Sequence, residues 1–256
     1  MRLKTAAKCW LAMGLAVPGA AMALPVFSGS VGVYGWHQNP SGRITYEGGT
    51  PIGSDVYLKQ DLGIGAGTSA LVHATLNNSL PLVPNLALSF SDFDQSGTNT
   101  LNRTIVFGGK AYPVETRVYG RLELREFSFT LFYRPVKRPF TLRLGLTGDN
   151  IYIKGTVKDL TTAKTATASG STSIPAAYAG VTVPLPLGFS ASADGAWIGY
   201  SGTHFDRWQI AAAWTSIFGA GVRAGYRKES FNVSSHLDPH GDISFSGAFA
   251  GVFYRF

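Results

Sequence analysis

Ten segments of alternating apolar and polar residues, a charged fraction of only 14%, and short turns set against long polar connections predict an all-β fold. Together they predict a closed antiparallel transmembrane β-barrel of about ten strands, with short periplasmic turns and long extracellular loops. Eight strands is the fallback, reached if one hairpin is misread as two spanning strands. An average soluble domain carries roughly 25% charged residues. No run of about 18 consecutive apolar residues occurs, which excludes spanning helices. A charge-poor chain without long apolar runs results when every second residue faces lipid.

The first segment, MRLKTAAKCWLAMGLAVPGAAMA, has a basic start (Arg2, Lys4, Lys8) and a short apolar run, Cys9 to Val17. Ala21-Met22-Ala23 then offers a small-residue cleavage site. These three parts predict a secretory signal peptide over 1–23, cleaved on export, and a barrel over 24–256. The apolar run, about nine residues, is too short to span a bilayer as a helix. Cys9 is the only cysteine, so the mature chain is expected to hold no disulfide framework. Losing three basic residues and no acidic one lowers the formal net charge from +7 to +4. That is too diffuse for a nucleic-acid partner.

The strands are expected at 26–38, 67–78, 85–95, 121–135, 140–158, 173–185, 189–201, 205–217, 220–235 and 242–256. The first is followed by a long polar loop (40–60), the second by the short turn SLPLVPN (79–85). The third sets Leu86, Leu88 and Phe90 against Ala87, Ser89 and Ser91. After it comes the longest connection, 96–120, whose own alternation (TIVFGGKAYPVETRVYG) predicts a hairpin projecting above the membrane. In the fourth, Phe127, Phe129, Leu131 and Tyr133 oppose Glu126, Ser128, Thr130 and Arg134. The turn VKRPF (136–140) leads to the fifth, where Leu142, Leu144 and Leu146 oppose Thr141, Arg143 and Thr147. A polar loop (161–173) precedes the sixth, and the turn PLG (186–188) the seventh. In the eighth, Trp208, Ile210, Ala212 and Trp214 oppose Arg207, Gln209 and Thr215. The turn FGA (218–220) leads to the ninth. An even strand number places both ends on the short-turn side.

A soluble sandwich would show the same alternation. The signal peptide, the turn asymmetry and the closing stretch FSGAFAGVFYRF (245–256) favour the barrel. In that last strand Ala248, Ala250, Val252, Tyr254 and Phe256 form one apolar row. An open edge in lipid would leave backbone groups unsatisfied at several kcal/mol each, so the last strand must pair with the first. Tyr254 and Phe256 are then expected at the periplasmic interface, as the C-terminal signal read by the barrel insertion machinery. Trp208 and Trp214, at opposite ends of one outer row, and Tyr133 near a turn fit the aromatic girdles.

The chain resembles a family of uncharacterised proteobacterial outer-membrane β-barrel proteins. The stretches that carry the resemblance are GVYGWHQNPSGRITYEG (32–48), VPNLALSFSDFDQSGT (83–98), WIGYSG (197–202), GYRKE (225–229) and GVFYRF (251–256). The resemblance implies the fold and the outer membrane of a Gram-negative bacterium as location. It supplies no catalytic residues and no reaction.

Function is expected in the lumen or the loops. Inward rows carry Glu126, Arg134, Arg143, Asp194, Arg207, Arg223, Arg227 and Glu229. Counted from the short turns, Asp194, Arg143 and Arg223 fall low, while Glu126, Arg207, Arg227 and Glu229 fall higher. This predicts two layers of ion pairs across a lumen that side chains alone nearly fill. The function expected is an integral envelope protein with an ion-paired, plugged lumen and a structural or loop-mediated role. The alternative is a narrow, porin-like pore or a carrier for small solutes or apolar molecules. An inward aromatic wall (Phe245, Phe249, Phe253, with Tyr34 and Trp36) would suit an apolar ligand but serves more simply as filler.

Enzyme readings are weaker, and a non-enzymatic role is favoured. SSHLDPHGD (234–242) gathers Ser, His and Asp in a loop, where such residues are common anyway. Asp92 and Asp94 in SDFDQ (91–95) would suit an outer-membrane protease, but no His–Asp partner pattern accompanies them. His73 faces inward without a carboxylate pair in sequence. The spacing of His236, Asp238 and His240 is unspecific for a metal. No cofactor or metal is expected. Arg121, Arg125, Lys154, Lys158 and Lys228 lie near the outer rim, where outer-membrane lipid and lipopolysaccharide phosphates are the expected partners. The sequence specifies no oligomeric state.

Overall fold

The computed structural model describes residues 27–46, 50–80, 82–200, 203–233 and 240–256. The expected signal peptide, 1–23, lies outside the described residues. The strands are β1 (Phe27–Thr45), β2 (Val56–Tyr57), β3 (Gly67–Asn78), β4 (Asn85–Thr100), β5 (Ile105–Phe107), β6 (Lys110–Tyr112), β7 (Arg117–Val136), β8 (Thr141–Asp159), β9 (Thr165–Pro184), β10 (Phe189–Tyr200), β11 (Thr203–Thr215), β12 (Ala220–Val233) and β13 (His240–Arg255). All but β2, β5 and β6 form one ring of ten strands, each antiparallel to its neighbours. The ring closes by pairing β13 with β1, from Ser30↔Arg255 to Thr45↔His240. Beyond the last strand residue, Gly29 N–H donates to the Phe256 carbonyl at 2.8 Å and Phe256 N–H to the Gly29 carbonyl at 3.0 Å. No sheet edge faces outward along that seam, as lipid requires.

Alternation of burial along the strands shows which row faces where. β7 alternates exposed and buried residues from Arg125 to Phe132, with Phe127, Phe129 and Leu131 outside. The outer apolar band ends above at Phe90, Phe127, Tyr152, Trp197, Trp208 and Tyr226, and below at Tyr133, Phe189, Trp214, Tyr254 and Phe256, all exposed. Such rings flanking an apolar belt are the pattern of interfacial aromatics.

Several strands run beyond the band. β1 continues to Thr45 rather than ending near 38, β7 starts at Arg117, and β9 starts at Thr165, inside the stretch read from sequence as a loop. The physical reason is that wall standing in water needs the backbone ladder but no apolar outer row. Thr165, Thr167, Ser169 and Ser171 therefore carry no hydrophobic period, yet they pair with Lys158, Thr156, Lys154 and Tyr152.

The connection 96–120 also departs from expectation. Its hairpin, β5–β6, does not project upward but folds into the barrel mouth. Ile105 and Tyr112 are fully buried, in one cluster with Ile44, Leu58, Leu122 and Val157. Tyr112 Oη donates to the Val157 carbonyl at 3.1 Å, and Gly108 N–H to the Tyr46 carbonyl at 3.0 Å. The segment 53–64 joins this roof. Ser54 and Val106 exchange backbone and hydroxyl bonds, and Arg103 donates to Asp61 at 2.6 Å and to the Asp55 carbonyl at 2.6 Å. The apolar residues of these two loops stay out of water because they bury one another over the lumen.

Candidate functional site

Side chains from opposite walls meet inside the ring. Arg207, on β11, lies four strands from Glu126 on β7 by the shorter way round. Its Nη1 donates to Glu126 Oε1 at 2.6 Å, to Asp149 Oδ1 at 2.6 Å and to Ser128 Oγ at 2.9 Å. Ser128 in turn donates to Glu126 Oε1 at 3.1 Å and also meets Asp149. Arg227 Nε donates to Glu229 Oε1 at 2.7 Å, and its Nη2 reaches Glu126 Oε2 at 3.4 Å. These five charged side chains are nearly or wholly buried. A buried ion needs both an opposite charge and hydrogen bonds to remain charged; each carboxylate here has an arginine partner, while Asp149 Oδ2 and Glu229 Oε2 accept no hydrogen bond among the described residues.

Gln209 connects this group to a second one nearer the periplasmic end. Its amide donates to Asp194 Oδ2 at 3.0 Å, while Arg227 Nη1 donates to its oxygen at 3.5 Å. Asp194 lies 3.6 Å from Arg143 and 3.9 Å from Arg223. Taken over both groups, four guanidiniums face four carboxylates. They are unevenly divided, with three carboxylates on two arginines above and one carboxylate between two arginines below.

Aromatic rings brace the arginines. Arg227 lies over Trp36 at 5.1 Å, and Arg223 over Phe249 at 5.6 Å and Tyr34 at 5.9 Å. Cation–π contact of this kind holds a guanidinium plane while leaving its edge free. Glycines make the room. A Cβ at Gly225 would sit 2.8 Å from the Phe249 ring, and one at Gly221 2.4 Å from the Phe253 ring. The inward aromatics of β13 and β1 thus pack on one another and on arginine. Tyr34 and Phe249 meet edge-on with centroids 5.8 Å apart.

Sequence reasoning missed Asp149, which is fully buried beneath Arg207. The signal was present, because Asp149 continues the inward row of Thr141, Arg143 and Thr147. Arg134 stays at the short-turn end of the barrel, donating to the Asn78 carbonyl at 3.2 Å. Tyr133 Oη donates to the Leu82 carbonyl at 3.0 Å and Trp214 Nε1 to the Leu187 carbonyl at 3.2 Å, both at short turns. Trp208 lies against Tyr226 at the other edge of the band.

The hydrolase candidates come apart. Ser91 and Phe93 are the buried residues of this stretch, so Asp92 and Asp94 stand on the outer wall. Asp94 there accepts from Arg121 Nε at 2.8 Å and Asp92 lies 3.9 Å from Arg125. His73 is inside, with its Nε2 and Thr75 Oγ1 3.0 Å apart. Residues 234–239, which include His236 and Asp238, lie outside the described residues. On the outer rim Lys154 pairs with Glu123 at 3.1 Å, so much of the basic charge expected to meet lipid phosphates already has acidic partners.

No protein-family model matches the chain, and no curated protein is similar to it in sequence. Its fold does match solved structures. The outer membrane protease OmpT from Escherichia coli superposes over 94% of this chain and 100% of its own, with a TM-score of 0.59 at 9% identity. The transport unit of the autotransporter AIDA-I from Escherichia coli gives 0.39 over 95% of this chain and 94% of its own, at 10% identity. The P. putida toluene transporter TodX gives 0.32 over 91% and 90%, at 8% identity. At 9% identity the likeness to OmpT is one of fold. The chain is a ten-stranded β-barrel of the outer-membrane type, built around an ion-paired lumen.

Proposed function

We propose that this chain is an integral outer-membrane protein whose lumen is plugged, with a structural or loop-mediated role in the envelope of a Gram-negative bacterium. In this reading residues 1–23 direct export and are removed, and Tyr254 and Phe256 are the signal read by the insertion machinery. The observation that carries the plug is Arg207 bridging Glu126 and Asp149 from across the ring, at 2.6 Å each. An ion crossing at that level would have to part a buried, hydrogen-bonded charge cluster, and the roof of β5–β6 covers the same path above.

The experiment is single-channel recording in planar bilayers. It uses protein purified from the outer-membrane fraction, with its N-terminus at Leu24 by mass. Silence is expected over long recordings at moderate voltage. Stable, reproducible steps from the wild-type protein would overturn the plug and return the lumen to the alternative, a narrow pore.

A further inference from the structure

Below the ion pairs the lumen widens into a cavity of about 900 Å³ that opens between the short turns. It continues inward as a smaller pocket of about 120 Å³, lined by Tyr34, His73, Arg143, Ser192 and Arg223 among others. The two share Ser30, Thr75, Arg143, Thr182, Ser190 and Arg255. Arg134, Arg143 and Arg255 line the outer part and Arg223 the inner part, and among the described residues no acidic side chain lines either.

The hydrogen bonding of these arginines is incomplete. The Nε atoms of Arg134 and Arg143 are buried and reach no acceptor of the protein. Arg143 otherwise touches Thr182 Oγ1 at 3.3 Å, and Arg223 touches Ser192 Oγ at 3.4 Å. Asp194, at 3.6 and 3.9 Å, is an ion-pair neighbour of both, and its own close hydrogen bonds come from Gln209. Two guanidiniums thus meet one carboxylate at the inner end. Two more arginines stand toward the mouth, with hydroxyls from Thr75, Thr182, Ser190 and Ser192 around them.

We propose that this vestibule is a binding site, entered from the periplasmic side, for a small solute bearing phosphate or carboxylate groups. Arginine forks match the planar or tetrahedral oxyanion and donate two bonds at once. A cleft walled by protein focuses the potential of its charges and raises the local concentration of anions. The inner pocket has the volume of about four liquid waters, room for one oxyanion group, with the rest of the solute in the wider mouth. The ligand contacts come from β3, β7, β8, β9, β10, β12 and β13, so the site belongs to the barrel wall. That the vestibule is a dead end rests on the plugged reading; the binding itself does not.

The test is calorimetric titration of the refolded mature chain with citrate and with inorganic phosphate. It is done in octyl glucoside, which brings no phosphate of its own. Saturable binding of one citrate per chain is expected, weakened at least tenfold in Arg143→Gln. Arg134→Gln is the second variant, since Arg134 has no acidic partner among the described residues to strand; it is expected to fold like wild type and to weaken citrate about threefold. Repeating the titration with phosphatidylglycerol present separates the sources. Undiminished citrate binding assigns the site to a soluble anion, while competition assigns the same arginines to a lipid phosphate. Absence of saturable binding, or equal affinity in wild type and both variants, overturns the site. Conductance reports the plug separately, so an open lumen with intact binding would remove only the dead end.

Discussion

Arg207 carries the lumen at the residue scale, because one guanidinium donates to two carboxylates from two strands. Arg207→Ala would leave Glu126 and Asp149 together with one cation, Arg227 at 3.4 Å from Glu126, and the hydroxyls of Ser91 and Ser128. Breaking a buried pair from one side costs about 3–5 kcal/mol, whereas replacing the whole cluster with groups of similar shape is often near neutral. The expected order of urea midpoints, measured in lipid vesicles, is therefore wild type, then Glu126→Gln/Asp149→Asn/Arg207→Met slightly below it, then Arg207→Ala far below. Equal midpoints for wild type and Arg207→Ala would show that the cluster contributes no stability. Most of its members were legible by counting alternate residues from the turns. Asp149 was passed over because the row was read only as far as Thr147, although the period-two rule extends to it without change.

At the scale of elements, legibility follows the solvent. Strands were found wherever lipid imposes an apolar outer row, and the ends of β1, β7 and β9 were missed where the wall stands in water. The roof was missed for another reason. Val56, Leu58, Leu62, Ile64, Ile105 and Phe107 are spread over two loops, and only their mutual burial makes them a core. What fixes the upper ends is local chemistry, as in the connection from β8 to β9. There the Thr162 hydroxyl donates to Asp159 at 2.5 Å, and the N–H groups of Thr161 and Thr162 donate at 2.7 and 3.1 Å. These bonds, the hydroxyl first, hold the Asp159 carboxyl below the usual range. A lowered folded-state value means that the contribution is present above the unfolded value of about 3.9 and fades as pH falls toward the folded one. Asp159→Ala is expected to speed amide exchange across 160–164 at pH 7, relative to intrinsic rates, and to leave the unfolding midpoint of the barrel unchanged. The wild-type turn should loosen in the same way only below about pH 4. Identical exchange in the two proteins at pH 7 would remove Asp159 as the holder of that turn.

For the whole molecule, closure of the sheet and closure of the lumen are separate achievements. The first is topological and was legible, since a last strand with apolar residues on both faces has no stable place except against β1. The second is built twice in series, by the ion pairs at mid-height and by the apolar roof above them, and neither sits on the chain's outer surface. Two seals in series make a definite prediction. Replacing 103–114 with a short glycine-serine linker removes β5–β6, uncovers Ile44, Val118 and Val157, and is expected to increase dye binding and protease sensitivity while bilayers stay silent. Glu126→Ala/Asp149→Ala/Arg207→Ala shortens three side chains together without stranding a charge, and is also expected to stay silent beneath an intact roof. Only the combination should give steady steps, and these should favour anions, because ions would then pass the arginines of the vestibule. Conduction by the roofless protein alone would show that the paired charges do not seal. Silence from the combination would move the seal to the aromatic layer of Trp36, Phe93, Phe245 and Phe249, where the rings of Phe93 and Phe245 meet at 5.0 Å.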